Sequence, residues 1–212
     1  MYHKNHLYKF SRGTIPSTKF RSRRNHTMKF MDIKTLDIAN GPGCRISLFV
    51  SGCTHHCKGC FNAESWDFNA GEEFTEEIQE KIIELLKPDY IDGLSILGGE
   101  PFEKDNVMTL YHFLQKVRWT YPNIDIWMYS GYTFEHLCKG IVTKGILKMI
   151  DVLVDGEFEE DKKDIKLQYC GSYNQRVINV QESLKDNTIY ELDKYNTNWI
   201  KRKYSKEEIS NV

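Results

Sequence analysis

From Met31 onward the apolar positions of this chain alternate between strand-like and helix-like spacing, so the sequence predicts its elements in turn. Arg45 to Val50 is a short apolar-rich run behind the turn residues Gly41-Pro42-Gly43 and predicts a first strand. Ile78, Ile82, Leu85 and Leu86 share one face of a helix that Thr75 can cap and Pro88 ends. Gly93 to Leu97 predicts a second strand, followed by a helix with Val107, Leu110, Tyr111, Leu114 and Val117 on one face. Ile124 to Tyr129 predicts a third strand. Phe134, Leu137, Cys138 and Ile141 repeat the helical spacing, and Ile150 to Val154 predicts a fourth strand. This alternation predicts an α/β fold on a parallel sheet, with the stripes themselves serving as core.

The residues that break the pattern share a position. Cys53 follows the first strand, Gly98-Gly99-Glu100-Pro101 the second, Tyr129-Ser130-Gly131-Tyr132 the third and Asp155-Gly156 the fourth. Each lies just past the carboxyl end of its strand, the edge at which barrels and open α/β sheets bind ligands. Singly these are ordinary turns; together they predict one site. No dinucleotide or P-loop glycine fingerprint is present, which argues against a nucleotide phosphate as the main ligand.

Three of the six cysteines, Cys53, Cys57 and Cys60, form a C-x3-C-x2-C run. By chance about 0.005 such runs are expected. A cubane cluster takes one ligand on each of four irons, so three thiolates leave one iron open to a substrate. A zinc site would close with a fourth ligand, and His55 or His56 is near. Both histidines, however, sit inside the loop whose ends the thiolates must pin, and no second C-x2-C or H-x3-H pair follows. A disulfide framework is disfavoured because no secretory signal pattern opens the chain and its length suffices for a core. Cys44, Cys138 and Cys170 are scattered and read as small buried residues.

With 40% hydrophobic and 28% charged residues, the composition fits one globular domain, and no apolar run reaches the length of a membrane span. A cytoplasmic protein without membrane contact is expected. The formal net charge of −1 hides an asymmetry: residues 1–30 hold eight Lys and Arg and no acid, which leaves the rest at −9. This arm lacks apolar periodicity and is expected to be disordered by itself. Such an arm fits nucleic-acid binding or an organellar presequence, but the favoured expectation is a start at Met28 or Met31, so nucleic acid is not the expected partner. The expected organisation is an extension over 1–30, a core over 31–182 and a tail over 183–212, with Trp199 the tail's main apolar anchor; the tail either adds an edge strand near Thr188 to Leu192 or docks on the partner, and the sequence does not decide between them.

The sequence resembles the radical S-adenosylmethionine (SAM) enzymes, and within them the anaerobic ribonucleoside-triphosphate reductase activating proteins. The resemblance runs from about Asp37 to Gln181. It rests on Asn40-Gly41-Pro42-Gly43-x-Arg45, Phe49-x-Ser51-Gly52-Cys53-x3-Cys57-x-Gly59-Cys60-x-Asn62, Trp66, Gly98-Gly99-Glu100-Pro101, Tyr129-Ser130-Gly131-Tyr132 and Asp151-Val152-Leu153-Val154-Asp155-Gly156. Gly171-Ser172-x-Asn174-Gln175-Arg176 is expected in this activase and not across the wider superfamily.

The resemblance implies a partial (β/α) barrel of parallel strands, a [4Fe-4S] cluster on Cys53, Cys57 and Cys60, and SAM on the open iron. It implies a 5′-deoxyadenosyl radical that takes hydrogen from a glycine of the large reductase subunit, and an electron donor such as reduced flavodoxin. By the same resemblance Gly98 and Gly99 let backbone approach the methionine, Glu100 accepts from its ammonium group, and Ser130 and Asp155 contact the ribose or methionine end. Gly59, Cys60 and Phe61 line the adenine side, and Ala at 100 should weaken SAM binding more than folding. Lys58 and Arg45 are candidates for a basic patch facing an acidic donor. Two positions depart from the pattern: Gly59 stands where many radical SAM enzymes carry an aromatic, and Cys170 where an Arg is expected. No lid is evident, so the protein substrate is expected to close the site. The rival readings are a pyruvate formate-lyase activase, a 7-carboxy-7-deazaguanine synthase and a zinc-bearing nucleic-acid module.

Overall fold

The computed structural model describes residues 28–192 and Tyr195. The basic arm up to residue 27 and Trp199 lie outside them. Seven strands form one sheet in the order β3-β1-β2-β4-β5-β6-β7. They are β1 (Lys29–Asp37), β2 (Arg45–Val50), β3 (Glu72–Glu73), β4 (Gly93–Gly98), β5 (Asp125–Ser130), β6 (Val152–Asp155) and β7 (Arg176–Asn179). The helices are α1 (Glu76–Leu85), α2 (Lys104–Thr120), α3 (Phe134–Leu137), α4 (Ile141–Leu147) and α5 (Val180–Asp186).

Strands β2, β4, β5 and β6 run parallel, joined by crossovers that carry α1, α2 and the α3/α4 pair. The ends of the sheet differ from the expected all-parallel barrel. β1 meets β2 antiparallel across the Gly41-Pro42-Gly43 turn, too short for a crossover, and β7 meets β6 antiparallel after a segment without an α-helix. The sheet is therefore mixed, parallel in its middle.

Period-two alternation sends Ile46, Leu48, Val50, Leu94, Ile96, Ile126, Met128, Leu153 and Ile178 to the helix-covered face, where they bury against Ile82, Leu110, Phe113, Leu114 and Leu147. Each such side chain contributes about 1.5–3 kcal/mol by leaving water. Thr75 caps α1, its hydroxyl accepting from the Ile78 N–H. The opposite face holds a smaller aromatic layer of Trp127, Tyr169 and Tyr195, whose rings meet edge to face with centroids 5.1–5.5 Å apart.

Several expectations change. β1 lies outside the predicted strands and begins at Lys29, with Met28 already buried, so the fold starts inside the extension assigned to 1–30. The boundary drawn after 182 falls within α5, whose Ser183 is fully buried. Residues 190–192 return along β7 through two backbone hydrogen bonds, the edge-strand alternative in a short form. The stripe ending at Ile141 breaks at Gly140 into two helices and leaves Ile141 93% exposed. Arg45 is fully buried, donating to Ser95 Oγ, two backbone carbonyls near 3.0 Å and Asp125 Oδ2 at 2.8 Å. It clamps the amino ends of β4 and β5 and cannot form a surface patch.

Candidate functional site

The parallel strands bring their carboxyl ends together, and the four interrupting segments meet there. The cysteine loop leaves β2 with its backbone tied to the 3₁₀ turn over Ala63–Trp66: the Gly52 and Cys53 N–H groups donate to the Ser65 and Trp66 carbonyls. Thr54 donates to Glu103 through both its N–H and its hydroxyl. His56 adopts φ +50° and stacks on Trp66, ring centroids 4.8 Å apart. Cys53 is buried and Cys57 and Cys60 are half-buried. All three line a cavity of about 420 Å³, together with Gly59, Phe61, Gly98, Gly99, Glu100 and Ser130.

Burial pushes the Cys53 thiol up to about 11 and raises Cys57 as well. Working the other way, the His55 and His56 N–H groups aim at the Cys53 sulfur, and the Phe158 N–H aims at that of Cys57. Such donors suit a thiolate held on a metal cluster. Trp66 and Tyr129 also line the cavity, but their polar atoms Nε1 and Oη are buried behind its surface, with no partner among the described residues.

Glu100 is 1% exposed and fully engaged. One carboxylate oxygen accepts from the Phe102 N–H and the Ser130 hydroxyl, both at 2.9 Å; the other accepts from the Gly131 N–H at 2.7 Å and faces His55 Nε2 at 3.1 Å. Gly99 packs directly on the cysteine loop, where an added Cβ would stand 2.6 Å from the Gly52 carbonyl oxygen. The glycine-rich turn after β4 therefore holds the cysteine loop and the β5 end in register.

Between them sits His55, its Nδ1 2.9 Å from Glu157 Oε1. The Glu100 hydrogen bond outweighs burial and raises the imidazole to about 9, with Glu157 adding to it. Each ring nitrogen thus faces a carboxylate oxygen in this structure.

Not every predicted site residue reaches the cavity. Asp155 is fully buried, accepts from the Phe134 N–H at 2.6 Å and pairs with Arg176, whose guanidinium also forks onto Glu135 at 2.9 and 3.0 Å. It is absent from the cavity lining. Phe61 sits at the rim and is 95% exposed. Conversely, Cys170, read as a plain core residue, lines the cavity beside Tyr169, and burial pushes its thiol up to about 12. Sequence reasoning missed His55 as a structural link, Glu157 altogether, and Tyr129 as cavity wall; Tyr129 was visible only as part of its motif.

The cysteine loop stands at the carboxyl edge of the sheet's parallel centre, and among the described residues no group of three or more His, Cys, Asp or Glu is gathered as a metal site. Residues 39–178 match the family described as "4Fe-4S single cluster domain". The chain is 43% identical over 150 residues to the anaerobic ribonucleoside-triphosphate reductase-activating protein of Pasteurella multocida (70% of this chain, 95% of the relative). It is 40% identical over 152 residues to the protein of that name in Escherichia coli K12 (71% and 97%), and 37% identical over 150 residues to that of Enterobacteria phage T4 (71% and 93%). This chain belongs to the family of anaerobic ribonucleoside-triphosphate reductase-activating proteins.

Proposed function

We propose that this protein activates an anaerobic ribonucleoside-triphosphate reductase by generating a glycyl radical on it, with Cys53, Cys57 and Cys60 holding a [4Fe-4S] cluster that binds SAM. The observation that carries the reading is three cysteines on one loop, open to a cavity, with the adjacent His55 already committed to two carboxylates. The chemistry supplied when both groups are bound is reductive cleavage of SAM to methionine and a 5′-deoxyadenosyl radical that abstracts hydrogen from a glycine Cα. The parallel centre of the sheet and its loaded carboxyl edge fit the partial barrel of the radical SAM enzymes.

The chain's own residues divide the remaining work. Burial raises the Cys53 and Cys57 thiols, so these two give up protons when they take a metal. Gly98, Gly99 and Glu100 set the spacing between cysteine loop and β5, so Glu100 acts first as an organiser of the pocket. Trp66 and Tyr129 supply ring surface to the cavity wall, while Asp155 supports the wall from behind. Phe61 at the open rim faces incoming protein, and a low-potential donor such as reduced flavodoxin supplies the electron. Among the described residues no helix is long and apolar enough to cross a membrane, and a cytoplasmic setting fits a reductase partner.

The test is anaerobic reconstitution with iron and sulfide, followed by SAM, a strong reductant and an assay for 5′-deoxyadenosine beside a Cys57→Ala control. Product in the wild type alone supports the reading, and a glycyl-radical signal on added reductase completes it. A fully iron-loaded protein that makes no product would overturn it.

A further inference from the structure

Gly171 and Gln175 of the block Gly171-Ser172-x-Asn174-Gln175-Arg176 line the cavity, and the cysteine loop leans on the block. The segment between β6 and β7 folds back over the cysteine loop at two points: Glu157 Oε1 stands 2.9 Å from His55 Nδ1, and Glu160 pairs with Lys58 at 3.1 Å. The second pair is exposed at both ends and worth little. The first joins a buried imidazole to an exposed carboxylate and depends on the turn at 156–158, and that turn is fixed from below. Gln175 Nε2 donates to the Gly156 carbonyl at 2.9 Å, and Asn174 Nδ2 donates to the Glu157 carbonyl at 2.7 Å. Gln175 Oε1 meanwhile accepts from the Gly171 and Ser172 N–H groups at 2.7 and 3.2 Å, closing the hairpin that returns to β7. One side chain therefore couples hairpin and turn.

We propose that Asn174 and Gln175 are positioning residues for the cluster loop, acting through Glu157 on His55, which lies between Cys53 and Cys57 in that loop. The path continues from His55 to Glu100 and on to Ser130 and Gly131, so the block braces both sides of the cavity. Ligand sulfurs need such a fixed outer shell: donors to them set cluster affinity and potential. The proposal rests on the reading of Cys57 as a cluster ligand.

Hydrogen–deuterium exchange on the full chain, reconstituted anaerobically, tests it in wild type, Gln175→Glu, Asn174→Asp and Gln175→Ala. Gln175→Glu keeps the acceptor for the hairpin and loses only the donor to Gly156. The expected result is several-fold faster exchange over 156–160 and over 52–60, which carries no substitution, with α2 still protected. Faster exchange confined to 157–173 would overturn the proposal, because the block would then hold only its own hairpin. A rise that includes α2 would overturn it equally, as general destabilisation. Loss of 5′-deoxyadenosine formation in the wild type would count against the function alone, since the exchange comparison is made between wild type and variants.

Discussion

The His55 imidazole stands 3.1 Å from the Glu100 carboxylate, joining the cysteine loop after β2 to the glycine-rich turn after β4. Because the same carboxylate also takes hydrogen bonds from Phe102, Ser130 and Gly131, its removal leaves several buried donors unmet. Glu100→Ala is therefore expected to cost about 3–5 kcal/mol of stability, the cost of breaking a buried pair. Urea denaturation of the full chain measures it. A loss below about 1 kcal/mol alongside lost SAM binding would restore the simpler role read from the motif.

Tyr129 behaves differently. Its hydroxyl is buried behind the cavity surface with no partner among the described residues, and burial pushes it well above its usual range, so it stays protonated. Tyr129→Phe should leave thermal stability unchanged or slightly raised and SAM binding unchanged, because the ring that lines the cavity is kept. Thermal unfolding and equilibrium binding to the reconstituted protein check both. An affinity loss of about 0.5–1.5 kcal/mol, roughly two- to tenfold in Kd, would show that the hydroxyl does meet SAM.

These two residues illustrate how far the sequence reaches. The cysteine spacing, the Gly98-Gly99-Glu100 turn and the β2, β4, β5 and β6 positions were legible because each is encoded within about ten residues. β1 was not, since irregularities after Phe30 and after Lys34 break its alternation, and Leu36 points to solvent. Arg45 looked like a surface charge because its partner Asp125 lies 80 residues away. His55 could be seen beside the cysteines, but its second carboxylate comes from Glu157, 102 residues on, and no local period announces such a pairing. What escaped, then, were side chains whose partners arrive only when the sheet assembles.

Arg176 supplies a pH-dependent test. Burial by itself would raise Glu135, but the forked hydrogen bond and the charge of Arg176 outweigh it and hold the carboxyl below its ordinary value. A depressed folded value means the stabilisation is present above the unfolded carboxylate range and is lost as pH falls through the folded value. The stability difference between wild type and Glu135→Gln should therefore be full at neutral pH and shrink below about pH 4.5. Denaturant midpoints across that range decide it. A difference that grows on acidification would reverse the sign and refute the pairing as the cause.

Gly131 offers a test of how tightly His55 is held. A Cβ at this position would lie 2.6 Å from the imidazole ring, too close for any real contact, so one of the two must move. The ring cannot swing aside cheaply, because it is buried and each nitrogen meets a carboxylate. Gly131→Ala should then cost about 1–3 kcal/mol, as overpacking does. His55→Ala removes the obstacle, so the second substitution should add little when made in its background. A double-mutant cycle on unfolding free energies is expected to show a coupling of about 0.5–3 kcal/mol, whereas additive costs would mean that the ring yields and the bridge between the two loops is soft.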